Sequence, residues 1–263
     1  MVLEHLIAAV NADPEKLIEK MKIASPAVLV NQCGRVSFDT LERPYGMVKI
    51  FSSDEKGVGR SRNKALSEAS GDIILFTDDD IIYVDGYEEI IKKEFSKHPE
   101  ADGLFFNLKV CEERRTYWNN DYSRVRLFNA GRYPAYSIAL RRRAIDGKKL
   151  RFSELFGGGA KFSCGEDSLF IKDCLRAGLK LYRTTALIGE EEGTPSTWFK
   201  GYDEKFFFDR GVLYHFLYGW LAFIFGFRFV YTKRALMCRD IPWRRALGIL
   251  KMGIKEGKRI KKA

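Results

Sequence analysis

Residues 71–83 read GDIILFTDDDIIY. Four apolar, β-favouring residues, Ile73, Ile74, Leu75 and Phe76, run through Thr77 into three consecutive carboxylates, Asp78, Asp79 and Asp80; apolar residues resume at Ile81 and Ile82. A continuous apolar run opened by Gly-Asp reads as a strand buried on both faces. Carboxylates at its carboxyl end fall where open α/β sheets bind ligands. Three adjacent negative charges repel one another, and their hard oxygens suit a divalent cation shared with phosphate. A solvated turn after a strand is the plain alternative, and the triplet by itself does not separate the two.

Upstream, Leu3–Val10 (LEHLIAAV) predicts a first strand, broken by Asn11-Ala12-Asp13-Pro14. Asp13 before Pro14 is an N-cap followed by proline at the first helical position, which predicts a helix to about Met21. Ala27–Val30 predicts a second strand ending at Asn31-Gln32. A loop is expected through Tyr45-Gly46, then a third strand over Met47–Phe51. Gly57 and Gly59 mark a flexible loop, and Ser61–Ala69 a short helix. The loop's glycines and cations at a helix start suit an anion, although the spacing is not that of a P-loop. Downstream, the spacing predicts a helix over Tyr87–Phe95, strands over Ala101–Val110 and Tyr136–Leu140, a mobile Gly157-Gly158-Gly159 loop, a helix over Ser168–Ala177 opened by Gly165-Glu166-Asp167, and a late strand over Leu179–Tyr182. Strands alternating with helices at this spacing predict an α/β fold with a mainly parallel, Rossmann-like central sheet flanked by helices.

The 263 residues suit one large α/β domain, or one domain with an appendage. A net charge of +10 favours anionic partners. The five scattered cysteines contain no CxxC pair, so structural zinc is not indicated and reduced thiols are expected. The first residues lack a basic start and a cleavage pattern, so export is not expected.

Near Gly193 the character changes. Val212–Phe227 (VLYHFLYGWLAFIFGF) carries no formal charge and is rich in Tyr, Trp and Phe. At about 16 residues it is shorter than the roughly 20 a membrane-crossing helix needs. Ile241–Ile260 places Trp243, Leu247, Leu250 and Ile254 at three- and four-residue spacing among many Lys and Arg, the pattern of a basic helix lying on anionic lipid.

The run from Gly57 to Asp80, GVGRSRNKALSEASGDIILFTDDD, followed by Gly165-Glu166-Asp167, resembles the family 2 glycosyltransferases of GT-A fold. The resemblance covers roughly residues 1–200. It implies a nucleotide-sugar-binding half over 1–100 and an acceptor half over 101–200; the aromatic and basic composition beyond predicts a helical, basic, membrane-associated segment over 201–263. It also implies transfer of a sugar from a nucleotide-diphosphate donor to an acceptor hydroxyl, inverting and dependent on Mn²⁺ or Mg²⁺. Carried over to this sequence, Asp78 matches the ribose contact and a second metal ligand, Asp80 the metal-binding carboxylate, and Asp79 lies between. Asn11, Gln32, Asp54, Arg62 and Asn63 match positions lining the donor. Asp167, with Glu166 as the alternative, matches the base. The implied setting is bacterial surface polysaccharide or glycolipid synthesis on the inner face of the cytoplasmic membrane, with a saccharide or lipid-linked acceptor, an anionic membrane as partner and no nucleic acid. A family histidine that completes the metal site has no counterpart in Gly189–Trp198, where carboxylates near Glu191, or water, could substitute.

Two other readings compete. A sugar-phosphate nucleotidyltransferase also uses carboxylate-bound metal, but LIAAVNAD lacks the glycine-rich cationic loop that such an enzyme needs at its first strand. A non-catalytic basic membrane-binding module would account for the charge alone.

Overall fold

The computed structural model describes residues 1–112, 115–193 and 201–260. β1 (Leu3–Val10) is buried almost throughout and leads into α1 (Pro14–Lys20). Asp13 caps α1 by accepting from the Lys16 N–H, as the Asp-Pro pair predicts. β2 (Ala27–Gln32), β3 (Ser37–Arg43), β4 (Gly46–Ser53) and α2 (Val58–Glu68) follow. β3 replaces the expected loop. Its SFDTLER is polar and largely exposed, and antiparallel pairing with β4 rather than burial makes it a strand.

Next come β5 (Ile73–Asp78), β6 (Ile81–Tyr83), α3 (Tyr87–Lys97), β7 (Gly103–Lys109), β8 (Ser123–Arg124), β9 (Ile138–Arg141), α4 (Arg142–Ile145), α5 (Glu166–Arg176) and β10 (Leu181–Glu191). β10 runs well past the expected Tyr182. It pairs with β7 on one side and with β6 and β8 on the other, so ladders from elsewhere in the chain hold a segment (TTALIGEE) of weak intrinsic β preference.

The described strands form one sheet in the order β3-β4-β2-β1-β5-β9-β7-β10-β6, with β8 alongside β10. β4, β2, β1 and β5 are parallel, so their carboxyl ends share one edge. Antiparallel pairing is confined to the flanks. The expected α/β class is present, with its parallel part at the centre. β5 explains its own continuous apolar run. Ile73 and Leu75 join a core with Leu17, Ile91 and Phe95 on one face, while Ile74 and Phe76 join a core with Ala65, Phe170 and Ile171 on the other.

The remaining helices are α6 (Glu204–Tyr218), α7 (Ala222–Thr232), α8 (Arg234–Met237) and α9 (Trp243–Ile260). By composition alone Glu204–Thr232 is apolar enough to cross a membrane. It does not run straight. Gly219 adopts φ +59°, ψ −121° and ends α6, and α7 folds back along it. Tyr218 stacks on Phe225 (4.2 Å), while Tyr214 and Phe206 both meet Phe229 (5.7 and 6.4 Å). Arms of 15 and 11 residues are each too short to span a bilayer.

α9 corrects a second expectation. Its apolar stripe is not free for lipid, because Ala246, Leu250, Gly253 and Gly257 are buried against α6 and α7. The approach is backbone to backbone. A Cβ at Gly253 would lie 2.0 Å from the Phe208 carbonyl oxygen, and one at Gly211 would lie 2.1 Å from that of Leu250.

Candidate active site

The site lies at the shared carboxyl edge of the parallel strands. Asp78 is the last residue of β5, and Asp79 and Asp80 form the turn into β6. Asp79 is held by the Val10 N–H, which donates to its Oδ2 at 3.1 Å. Burial pushes the Asp79 carboxyl up, the Val10 N–H opposes that, and the neighbouring charge of Asp78 pushes it up further. The Glu192 N–H donates to the Asp80 carbonyl at 2.7 Å, bringing the acidic end of β10 beside the triplet.

Arg62, on the buried face of α2, joins the two acidic motifs. Its Nη2 donates to Asp78 Oδ1 at 2.7 Å, and its Nη1 donates to Glu166 Oε1 at 2.9 Å and lies 3.9 Å from Asp167 Oδ1. The Arg62 side chain is only 3% exposed, against 28% for Asp78 and 23% for Asp167. One desolvated guanidinium thus faces three carboxylates separated by more than 80 residues of sequence. Removing the cation would leave buried charges uncompensated.

Glu166 and Asp167 differ. Glu166 is nearly enclosed: Oε1 accepts from Arg62, Oε2 accepts from the Gly165 N–H, and a Cβ at Gly157 would lie 2.7 Å from its Cδ. Burial and the adjacent Asp167 push the Glu166 carboxyl well above the usual range, against the pull of Arg62. Asp167 keeps an exposed edge and is positioned by the Ala135 N–H on Oδ2 at 3.2 Å. Geometry therefore makes Asp167 the carboxylate able to meet a substrate, and Glu166 the group that positions Arg62.

The other expected donor-lining residues separate. Asn11 sits at the end of β1 with φ +50°, and its N–H donates to the Gln32 carbonyl at 3.0 Å. The Gln32 side chain accepts from the Gly57 N–H at 2.9 Å, and Val58 N–H donates to the Gly158 carbonyl at 2.9 Å. The start of α2 is thus capped by the chain itself, which accounts for two of the N–H groups expected to hold an anion. The triple-glycine loop is the capping partner, packed so closely that a Cβ on Gly159 would lie 3.1 Å from Gly57 N. Asn63 corrects its expected role: both ends of its amide bond the Phe152 backbone (2.9 and 2.7 Å), and it is buried. Arg62 likewise is buried and turned to the carboxylates of Asp78, Glu166 and Asp167. Asp54 lies apart, beside Arg60 and Phe38 in a cavity of about 490 Å³ whose lining excludes the triplet.

Tyr136 is a site residue the sequence does not flag; no motif marks a tyrosine just ahead of a strand. Burial raises its hydroxyl far above the ordinary range, and the charges of Glu191, Asp78 and Asp80 act in the same direction. Asp78, Asp80 and Glu191 all lie within electrostatic reach of this one phenol. Among the described residues no group of three His, Cys, Asp or Glu side chains is placed to hold a metal ion by itself. The donor set is instead of the open kind, strand-end carboxylates beside a surplus of negative charge. Such a set holds Mg²⁺ or Mn²⁺ together with substrate phosphates. The residues present fit the cation that the sequence implies. The described histidines take no part: His5 bonds Thr77 and Tyr87, His98 stacks on Tyr122, and His215 lies on α6.

α6 supports this arrangement from behind. Leu213 packs where a Cβ on Gly165 would lie, at 2.4 Å, and Gly165 itself has φ +118°. Asp209 accepts from the Ser163 N–H at 2.9 Å, and Lys172 of α5 donates to the Phe216 carbonyl. The start of α5, where Glu166 and Asp167 stand, is thus wedged between the sheet and the C-terminal helices.

Residues 37–159 match the family model described as glycosyl transferase family 2. The chain thus carries a family 2 glycosyltransferase domain, matched over just under half of its length. The chain matches no curated protein sequence. Among solved structures it is similar to residues 1–349 of TarS from S. aureus in complex with UDP-GlcNAc. There the TM-score is 0.64 at 14% identity, covering 97% of this chain and 82% of that one. Against a longer TarS structure the TM-score is 0.63 at 16% identity, and this chain spans 49% of that length. It is also similar to the mannosyltransferase PcManGT from Pyrobaculum calidifontis in complex with GDP-Man and Mn²⁺. That TM-score is 0.53 at 12% identity, covering 98% of this chain and 75% of that one. At these identities the likeness is one of fold, and the fold is GT-A.

Proposed function

We propose that this family 2 glycosyltransferase moves a sugar, with inversion, from a nucleotide-diphosphate donor to an acceptor hydroxyl. The observation that carries this is the Arg62 bridge, which holds the donor-side Asp78 and the acceptor-side Asp167 on opposite sides of one cation. Asp78, Asp79 and the strand ends at Asn11 and Gln32 would line the nucleoside diphosphate. UDP-GlcNAc, UDP and GDP-Man in the similar structures support a donor of this class.

Asp80 and Asp78 are the candidate ligands of the divalent cation, with Glu191 beside them. When bound, that cation supplies Lewis-acid neutralisation of charge on the leaving diphosphate. Asp167 accepts the acceptor's hydroxyl proton as its oxygen bonds to the anomeric carbon; the bond from that carbon to the diphosphate breaks, and its electron pair leaves with the phosphate. With the base and the leaving group on opposite sides of the sugar, the displacement is in line. General base catalysis of this kind contributes about 10² to 10⁴ in rate. The reaction would serve surface polysaccharide or glycolipid synthesis at the inner face of a bacterial cytoplasmic membrane, on a saccharide or lipid-linked acceptor.

A thermal-shift screen of nucleotide sugars with and without Mn²⁺ and Mg²⁺ tests the reading, because a ligand that binds the folded state raises its melting temperature. A metal-dependent shift with at least one UDP- or GDP-sugar, lost in Asp80→Ala, is expected. No shift with any nucleotide sugar would sink it.

A further inference from the structure

α7 turns one face to α6 and α9 and leaves the other uncovered. Ala222, Gly226 and Val230 are buried, while Trp220 is 87% and Ile224 60% exposed, with Phe223, Phe227 and Tyr231 exposed in the same stripe. Cations rim the stripe. The Arg234 guanidinium lies 4.3 Å from the Tyr231 ring centroid and the Lys251 ammonium 6.0 Å from that of Phe223. From Val212 to Leu250 the chain carries six Arg or Lys residues and a single acid, Asp240.

We propose that the outer face of α7 seats the enzyme on an anionic lipid bilayer, in the interface and not across it. This rests on the membrane setting proposed above and moves the docking surface from α9, whose apolar stripe is spent on α6, to α7. Trp and Tyr favour the interfacial layer, where their rings are half apolar and half polar. An apolar face flanked by Lys and Arg is the composition that binds anionic lipid. A second copy of the chain fits less well, because a two-fold contact through this face would bring the same cations together.

The neighbourhood gives the docking a purpose. At the foot of α7 an apolar cavity of about 160 Å³ lies between Phe128, Leu217, Leu221 and Phe225, with Lys172 and Arg176 on its α5 wall. Phe128, 78% exposed, stacks on Phe225 with centroids 6.2 Å apart. The same wall includes Ser168, the residue after Asp167. A bilayer against α7 therefore lies alongside the helix that begins with the candidate base, and anionic headgroups would meet Arg176 on the way.

The test is flotation of the full chain with phosphatidylglycerol vesicles and, in parallel, phosphatidylcholine vesicles. Wild type is expected to float with the anionic vesicles and far less with the neutral ones. The double variant Trp220→Ser, Ile224→Ser should float about tenfold less, since it removes most of the exposed apolar anchor. Arg234→Glu, Lys251→Glu, which keeps that anchor, should weaken flotation in the same direction. Both sites are on the surface, and an unchanged nucleotide-sugar thermal shift reports that each variant is folded with its donor site intact. Absence of that shift in wild type would count against glycosyl transfer and leave docking standing. Undiminished flotation of the aromatic variant overturns the proposal, as does equal flotation on both vesicle types. A wild-type dimer by light scattering that the aromatic variant turns into monomer would assign the face to a second copy instead.

Discussion

The donor edge of the sheet and the C-terminal helical layer are held together by opposite means, and they meet at one loop. At the sheet edge, Asp78 and Asp79 are fixed by parallel ladders and by charge: a desolvated Arg62 faces Asp78, Glu166 and Asp167. In the helical layer, glycines bring the α6 and α9 backbones into contact and let α7 close on Leu250 through Gly226, with most of the charges turned outward and Asp209 the buried exception. The first arrangement specifies direction, as ionic hydrogen bonds do. The second specifies distance, as close packing does. Asp167 needs both: Arg62 faces it on one side, and Leu213 sets the turn before it on the other.

Four substitutions test that division, and a fifth, at His5, serves as a reference outside it. The largest effect is expected for Asp167→Asn. Turnover should fall by about 10² to 10⁴ while the donor-induced thermal shift persists. If Glu166→Gln, and not Asp167→Asn, removes turnover with stability intact, the two roles are exchanged. Next is Arg62→Met, which strands buried carboxylates and should cost about 3–5 kcal/mol in a urea melt. Donor binding should weaken with it, because Asp78 loses its partner.

Leu213→Ala carves a cavity behind Gly165, at about 2–5 kcal/mol. It sharpens the comparison: turnover should drop through misplacement of Asp167, and the donor shift should survive. Equal loss of donor binding would mean that the two regions are not separately held.

The smallest effect is expected from His5, which lies in the sheet away from the charge cluster. Burial lowers its pKa to about 3, so it stays neutral in the folded protein. The unfolded chain takes up that proton below about pH 6.5, so stability is lost as pH falls from there toward 3. At pH 5 the loss from this one group is about 2 kcal/mol. Wild type should therefore lose more stability between pH 7 and pH 5 than His5→Gln does, measured by chemical denaturation at each pH. An equal loss in the two proteins would assign the acid sensitivity to other groups.

Much of the sheet and part of the site were legible in the sequence because they are local. The apolar run before Asp78 specifies a doubly covered strand through composition alone, and Asp13-Pro14 specifies a helix start through capping chemistry. The same locality misled where residues act at a distance. Arg62 and Asn63 read as donor contacts because they match the helix start of the family pattern, beside a glycine loop. Yet Arg62 turns to acids on other elements, and Asn63 to the backbone of Phe152, 89 residues on. β3 and the second half of β10 have little β preference of their own and exist because partner strands complete their hydrogen bonds.

The sequence by itself determined the order of the pieces: the parallel strand ends, the acidic triplet, the Gly-Glu-Asp helix start and a late apolar, basic segment. Only the tertiary structure decided what those pieces face. Arg62 became a bridge because folding placed three carboxylates around it. Glu166 and Asp167, adjacent and alike in chemistry, took different roles because one is enclosed by Gly157 and the other keeps an edge to solvent. The apolar segment became two short helices, and not a span, because Gly219 adopts a backbone conformation closed to most L residues and the return arm lays its own Gly226 against Leu250 of α9.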